Sequence, residues 1–498
     1  NYQMSRIIIQ NGNMCELDLP LKFAQKLYNE FAIRHPNAFY LRTRQRGMQN
    51  WDGKIHYITK TGQFKIGLLP KVYDMCIEMG IKPKVVDMRQ PLPKVSKVVT
   101  NIGKYKLRPE QEKAVKAVIN NKIGNTPFHI GVLDYTVNAG KTLIMSSLYL
   151  SYKKQLKTLL ITNDSDWLNQ AREEFKQYLP GEDITFVQGK VLNWSNFTIG
   201  MVQSISRNMR FYQKELSQID MVLIDEADQG GSKQYQNVIT RLFNTRIRIG
   251  LSGTIYMSKL AKDRVKNMNL ECFFGKVIAE FKLKDSIKKG YSTKTVVKMV
   301  PGKPWYGNWE SDCISYKEIY DDSITNCYTA WLMAYNRLLW NLNQGRYPAL
   351  VVCKHIAHCE NLYKFFKKKL GDAYNIAYVH VNTPSKLRQQ IMKDFREGKI
   401  DILVSTTIIA RGKNFPKLRY LLNAASMDSQ EKSIQFLGRL VRTDKSKKKV
   451  YLDDLHYPGP YLDRHGKHRK QYYQRQELKV ILLDKLWKKH PNHSLIKS

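Results

Sequence analysis

Apolar residues fall into two long series of short runs. In the first series, Ile130–Leu133, Thr158–Ile161, Phe197–Val202, Met221–Ile224 and Arg248–Leu251 are β-rich and too short for helices. Segments with helical spacing separate them, beginning with Pro109–Asn120. The second series runs from Ala349 to about Asp453, with strands expected at Leu350–Cys353, Ile376–Val379, Ile402–Val404 and Tyr420–Leu422. Unbroken apolar runs suit strands buried on both faces, and their alternation with helices predicts two parallel sheets covered by helices.

The flanks read differently. Residues 1–95 predict a small α+β module. It has a strand at Ile7–Ile9, a helix at Leu21–Phe31, an alternating strand at Lys54–Thr59, and turns at Gly62 and Gly67. Pro83, Pro91 and Pro93 then mark a linker. Lys294–Gly345 reads as a segment between the two series, with the aromatic turn Pro304–Trp309 followed by a long helix. The expected division is an accessory module at 1–95, α/β domains at 96–290 and 291–455, and a basic, aromatic tail at 456–498.

Charge changes the picture most. The 498 residues carry 82 Lys and Arg against 43 Asp and Glu, a formal net charge of +39. Such an excess points to a polyanionic partner, because cationic side chains neutralise phosphates and release condensed counterions. No run is long and apolar enough to span a bilayer, and Asn1–Pro20 lacks the pattern of a signal peptide. The seven cysteines are scattered and read as thiols, so a cytoplasmic setting is expected, that of a host cell if a phage encodes the chain.

The candidate chemistry lies at strand ends. Asn138-Ala139-Gly140-Lys141-Thr142 follows the run Ile130–Leu133 and opens a helix. A loop so placed aims backbone N–H groups and a helix N-terminus at phosphates. Lys141 reaches the terminal phosphates, and the Thr142 hydroxyl holds Mg²⁺. Tyr135 stands where the full P-loop pattern has a glycine, so the loop alone is weak evidence. Asp225-Glu226-Ala227-Asp228 ends the run Met221–Ile224, where Asp225 can hold Mg²⁺ and Glu226 can polarise water. In the second half, Gln435-Phe436-Leu437-Gly438-Arg439-Leu440-Val441-Arg442 puts Arg439 and Arg442 on one helix face, suited to a γ-phosphate.

In this order the motifs resemble those of superfamily-two helicases. Leu107-Arg108-Pro109-Glu110-Gln111 is similar to the adenine-reading Q motif, with Gln111 as its key residue and Arg108 beside it. Gly140-Lys141-Thr142 is similar to motif I, and the 225–228 tetrad to motif II. Leu251-Ser252-Gly253-Thr254 is similar to motif III, which implies that Ser252 and Thr254 couple hydrolysis to nucleic-acid contact. Thr407 to Asn414, including Gly412 and Asn414, is similar to motif V, and Gln435 to Arg442 to motif VI. The resemblance implies two tandem RecA-like domains that hydrolyse ATP with Mg²⁺ between them. A narrower resemblance, on Tyr40–Arg44, Asn50–Ile55, Asn138–Thr142 and Cys353–His358, is to the phage UvsW-type recombination and repair helicases. It implies action on forked or branched DNA: unwinding, branch migration and reannealing. Recombination or replication proteins are then possible partners.

The same resemblance puts single-stranded nucleic acid across Gln170, Gln203, Ser204, Lys354 and His355. Arg42, Arg44 and Arg46 with Trp51 mix cations and an aromatic ring, which suits base stacking and phosphate contact. Packing of Trp51 in the module's core is the rival reading. Trp305 and Trp309 suit either a strand-separating wedge or core packing. Cys353, His355, His358 and Cys359 are too crowded for a zinc site. Lys445–Lys449 reads first as a solvated loop and second as a phosphate contact. Three rival functions stay open: an RNA helicase with the same motor, a double-stranded DNA translocase that does not unwind, and a non-enzymatic basic scaffold.

Overall fold

A computed structural model describes residues 5–44, 48–136, 138–189, 191–256, 263–302, 315–407, 415–428, 437–438, 440–441 and 447–483. The chain divides into two units, residues 1–281 and 282–498.

The first unit is built on a sheet of eight strands. Their order is Val191–Leu192, Ile184–Gln188, Phe197–Met201, Thr158–Thr162, Met221–Asp225, Ile247–Ser252, His129–Tyr135 and Val277–Phe281. All pair in parallel except Val191–Leu192. The central strands are buried along their whole length, as their unbroken apolar runs require. The edge strand Val277–Phe281 and the outer strand Ile184–Gln188 were not expected.

The second unit holds seven parallel strands. Their order is Ile376–Val379, Ile402–Thr406, Ala349–Cys353, Tyr420–Asn423, Lys449–His456, Lys294–Pro301 and Lys479–Leu482. The two sheets have the tandem RecA-like architecture that the strand–helix alternation implied. Two expectations need correction. Lys294–Pro301 is a strand of this sheet, so the segment from Lys294 does not begin as a connection. The expected separate tail is structured over much of its length: helix Leu462–Arg475 packs on the sheet and Lys479–Leu482 pairs with Lys294–Pro301. Trp305, Trp309 and Cys313 lie outside the described residues.

Residues 5–87 carry their own four-stranded sheet, in the order Gln63–Lys65, Met14–Asp18, Arg6–Ile9, Lys84–Asp87. Helices Leu21–Glu30 and Leu69–Glu78 accompany it. The strand expected at Lys54–Thr59 stops at His56, and Gly67 lies in a short 3₁₀ helix, not a turn. This module is fastened to the large sheet of its unit. Arg248, fully buried, donates from Nη2 to the Gly12 carbonyl at 2.6 Å and to Asn13 Oδ1 at 2.7 Å. Its Nη1 donates to the Phe273 carbonyl at 3.2 Å. A Cβ on Gly12 would stand 2.4 Å from the Leu242 carbonyl oxygen, and one on Gly67 2.1 Å from that of Glu271. Only glycine permits such close approaches. Replacing Arg248 by Met strands three buried acceptors at once. The expected loss of stability is about 3 kcal/mol or more. A thermal midpoint equal to that of the wild type would remove Arg248 from this role.

Candidate nucleotide site and nucleic-acid surfaces

Helix Lys141–Ser151 starts at Gly140, whose φ of +71° lets the chain turn from the strand His129–Tyr135 into the helix. The loop between them is held from below. Gln111 is buried on helix Pro109–Ile119, and its amide works at both ends. Its Oε1 accepts from the Arg108 N–H at 2.8 Å, and its Nε2 donates to the Ala139 carbonyl at 2.9 Å. Arg108 Nη2 donates to the Asn138 carbonyl at 3.0 Å, and Asn138 itself has φ +64°. In this conformation Gln111 and Arg108 therefore shape the loop. Tyr135, at the position where the P-loop pattern has a glycine, is a strand residue. It is buried, and its hydroxyl donates to the Glu110 carbonyl at 2.7 Å.

Lys141 Nζ lies 3.1 Å from Asp225 Oδ1. Burial disfavours the ammonium, but Asp225 at hydrogen-bond distance, with Glu226 and Asp228 nearby, raises its pKa overall. Glu226 follows the strand Met221–Asp225 with φ +52°, a left-handed conformation rare for a residue with a side chain. Burial first, then the charges of Asp225 and Asp228, push its carboxyl up to about 8. Near neutrality much of that carboxyl holds its proton; once deprotonated, it is a stronger base towards water than an ordinary carboxylate.

Asp228 points to the third part of the site. Its Oδ1 accepts from Ser252 Oγ at 2.7 Å, and Ser252 Oγ accepts from the Thr254 N–H at 3.1 Å. The two hydroxyls of Ser252 and Thr254 are 3.1 Å apart. A Cβ on Gly253 would approach Thr136 Cα to 3.0 Å, so this segment also backs the loop before Lys141. The sequence names these residues but not their contacts, since nothing local pairs Asp228 with Ser252.

Thr142 and Asp225 offer the hard oxygen donors that Mg²⁺ takes, so the residues fit that ion. Gly412, Asn414, Gln435, Arg439 and Arg442 lie outside the described residues.

The expected nucleic-acid residues are scattered over both units. In the first, Gln170 is exposed on helix Ser165–Tyr178 and donates to Glu174. Gln203 and Ser204 lie on helix Val202–Arg207, where Ser204 Oγ accepts from the Gly189 N–H at 2.9 Å. Arg42 and Arg44 are exposed on helix Ala38–Arg44, whereas Arg46 lies outside the described residues. Trp51 is half-buried; its Nε1 donates to the Lys54 carbonyl and its ring meets His35 edge-on.

In the second unit, Lys354 and His355 follow the strand Ala349–Cys353. Lys354 Nζ donates to Tyr316 Oη at 2.9 Å, and the His355 and Tyr320 rings are 4.9 Å apart. Lys447 corrects the reading of Lys445–Lys449 as solvated: it is buried, and Nζ donates to the Leu418 and Leu440 carbonyls.

Among the described residues no cluster of His, Cys, Asp and Glu is arranged to hold a metal. The six cysteines among them are all buried thiols. No described helix is long and apolar enough to cross a membrane.

Burial pushes the His358 imidazole down to about 3. Folded His358 is therefore neutral, whereas the unfolded chain takes up a proton below about 6.5. Its contribution to stability is intact above that value and is lost as pH falls towards the folded pKa. The acid-side fall in thermal midpoint below pH 6.5 should be shallower in His358→Gln. Parallel curves for the two proteins would contradict this.

Two family models match in the expected order: "Type III restriction enzyme, res subunit" over residues 104–257 and "Helicase conserved C-terminal domain" over residues 332–444. The chain belongs to the superfamily-two helicases, a class defined by paired RecA-like domains. Among its relatives is the putative helicase 22 of Sulfolobus islandicus filamentous virus (isolate Iceland/Hveragerdi). The two share 23% identity over 385 residues, covering 71% of this chain but 64% of the viral protein. The ATP-dependent DNA helicase uvsW of Enterobacteria phage T4 is 22% identical over 452 residues, 82% of each chain. In fold, the chain is similar to a fragment of a putative HsdR subunit of a type I restriction enzyme from Vibrio vulnificus YJ016. The TM-score is 0.55 at 15% identity, over 75% of this chain and 68% of that one.

Proposed function

We propose that this chain is an ATP-driven DNA motor that acts on forked or branched DNA, in phage recombination, repair or replication. The observation that carries the ATP part is the Lys141–Asp225 pair, 3.1 Å apart beside Glu226 on the loop braced by Gln111. The DNA part rests on similarity to a DNA helicase across 82% of both chains and on the net charge of +39.

In the proposed cycle, the N–H groups of loop 138–142 and the N-terminus of helix Lys141–Ser151 receive the phosphates. Lys141 leaves Asp225 for the terminal phosphates, which frees the carboxylate to hold a cation together with the Thr142 hydroxyl. Mg²⁺, when bound there, supplies the positive charge that neutralises the phosphate oxygens. Glu226 orients the attacking water and takes its proton. Arg439, Arg442 and Gln435 act on the γ-phosphate, and Gly412 and Asn414 belong to the same nucleotide-sensing set. Loss of that phosphate changes the load on Asp228, and its bond to Ser252 passes the change to the segment 252–254. The two domains then shift their grip on single-stranded DNA, through Gln170, Gln203 and Ser204 in one and Lys354 and His355 in the other. Residues 1–95 form an accessory DNA-binding module through Arg42, Arg44, Arg46 and Trp51. Trp305 and Trp309 are assigned to strand separation.

The tetrad Asp225-Glu226-Ala227-Asp228 supports one rival, an RNA helicase, because that spelling also occurs in RNA helicases. A panel of DNA forks, Holliday junctions, displacement loops and RNA duplexes with ATP separates them. DNA junctions should stimulate hydrolysis most and be unwound. Preference for RNA duplexes would overturn the DNA assignment. Triplex displacement without fork unwinding would make the chain a double-stranded DNA translocase.

A further inference from the structure

Helix Leu462–Arg475 begins at a strained residue. Tyr461 has φ +61° and ψ −48°, a conformation that a bulky side chain rarely adopts, yet the residue is 42% exposed. The segment follows the carboxyl end of the strand Lys449–His456. In the same parallel sheet, Lys354 and His355 follow the carboxyl end of Ala349–Cys353. Ligands of parallel α/β sheets gather at that edge.

The aromatic groups there are continuous. Lys354 Nζ lies 4.1 Å from the centroid of the Tyr316 ring. Tyr316 meets Tyr461 edge-on, with centroids 5.8 Å apart, and the guanidinium of Arg464 lies 5.7 Å from the Tyr461 ring. The nearby carboxylate of Asp463 is paired with Lys467 and His456, so it does not set the charge of the surface. Cations beside an exposed ring are what a single-stranded nucleic acid needs, with phosphates on the cations and a base on the ring.

We infer that Tyr461 is a base-stacking residue for single-stranded nucleic acid on the second unit, seated by Tyr316, with Arg464 beside its ring and Lys354 on the neighbouring Tyr316. The inference rests on the proposed function and adds to it a residue outside the helicase motifs. Its contribution comes from the base, not from the backbone phosphates.

The test compares wild-type, Tyr461→Phe and Tyr461→Gly proteins. Fluorescence anisotropy reports their affinity for an oligothymidylate and for an abasic strand of equal length, at one salt concentration. Tyr461→Gly should bind the oligothymidylate about tenfold more weakly, with abasic binding changed far less. Tyr461→Phe should keep the wild-type preference for bases. Glycine accepts the positive φ, so the thermal midpoint of Tyr461→Gly should not fall, which separates lost stacking from unfolding. If the wild type binds the strand and Tyr461→Gly binds it equally well, or loses both strands equally, the stacking contact is overturned alone. If the wild type binds neither strand, the proposed function fails and this contact with it.

Discussion

Replacing Lys141 by alanine should lower ATP turnover by on the order of 10²–10³-fold while salt-sensitive binding of nucleic acid persists. The expectation follows from two roles of one side chain. In the proposed cycle, its ammonium faces the terminal phosphates where charge builds up during transfer. Without nucleotide, it neutralises the buried Asp225 carboxylate at 3.1 Å. Alanine also leaves that carboxylate without its counter-ion, which is expected to lower stability by about 3 kcal/mol. Turnover must therefore be measured well below the thermal midpoint of the variant. Nucleotide affinity should fall with turnover, because the lysine acts on bound phosphate before and during the reaction. Hydrolysis at wild-type rate would refute the assignment of the loop.

The Glu226→Gln protein should separate binding from chemistry. Glutamine has nearly the same shape but cannot take a proton from water. A loss of general-base assistance lowers the rate by about 10²–10⁴-fold. ATP binding should survive, since a carboxyl group offers phosphate no electrostatic attraction. Stability should survive too. Burial and its acidic neighbours already push the carboxyl up to about 8, so the folded protein tolerates a neutral group there. A variant that loses ATP affinity and turnover in equal measure would show that Glu226 holds the nucleotide instead of activating water.

Both substitutions fall in parts of the chain whose meaning is legible in the amino-acid sequence. Gly140-Lys141-Thr142 and the 225–228 tetrad sit at the ends of unbroken apolar runs, and such runs become strands buried on both faces. Tyr135 weakens the pattern only because a strand residue is compared with a loop glycine. What sequence cannot give is contact between distant segments. The Gln111 amide bracing Ala139, and Ser252 bonded to Asp228, require the helix and strands to be side by side.

Polar cores are the second blind spot. Helix Leu462–Arg475 reads as a basic tail, yet Arg469 is fully buried, with Nη2 2.8 Å from Asp454 Oδ1. Tyr473 and Asn423 donate to the same carboxylate. A guanidinium matched so completely counts as core, although every hydropathy pattern scores it as surface. Lys294–Pro301 escapes notice for a related reason. Its two lysines, Lys294 and Lys298, resemble an exposed segment, but strand pairing on both sides places it inside the sheet.

Steady-state ATP hydrolysis by the intact chain, followed as forked DNA is titrated in, addresses the central claim most directly. Turnover should climb to a plateau with DNA concentration, and that stimulated turnover should vanish in Glu226→Gln. Hydrolysis indifferent to DNA, or the same stimulated rate in Glu226→Gln, would contradict a motor driven from the Lys141–Asp225–Glu226 site.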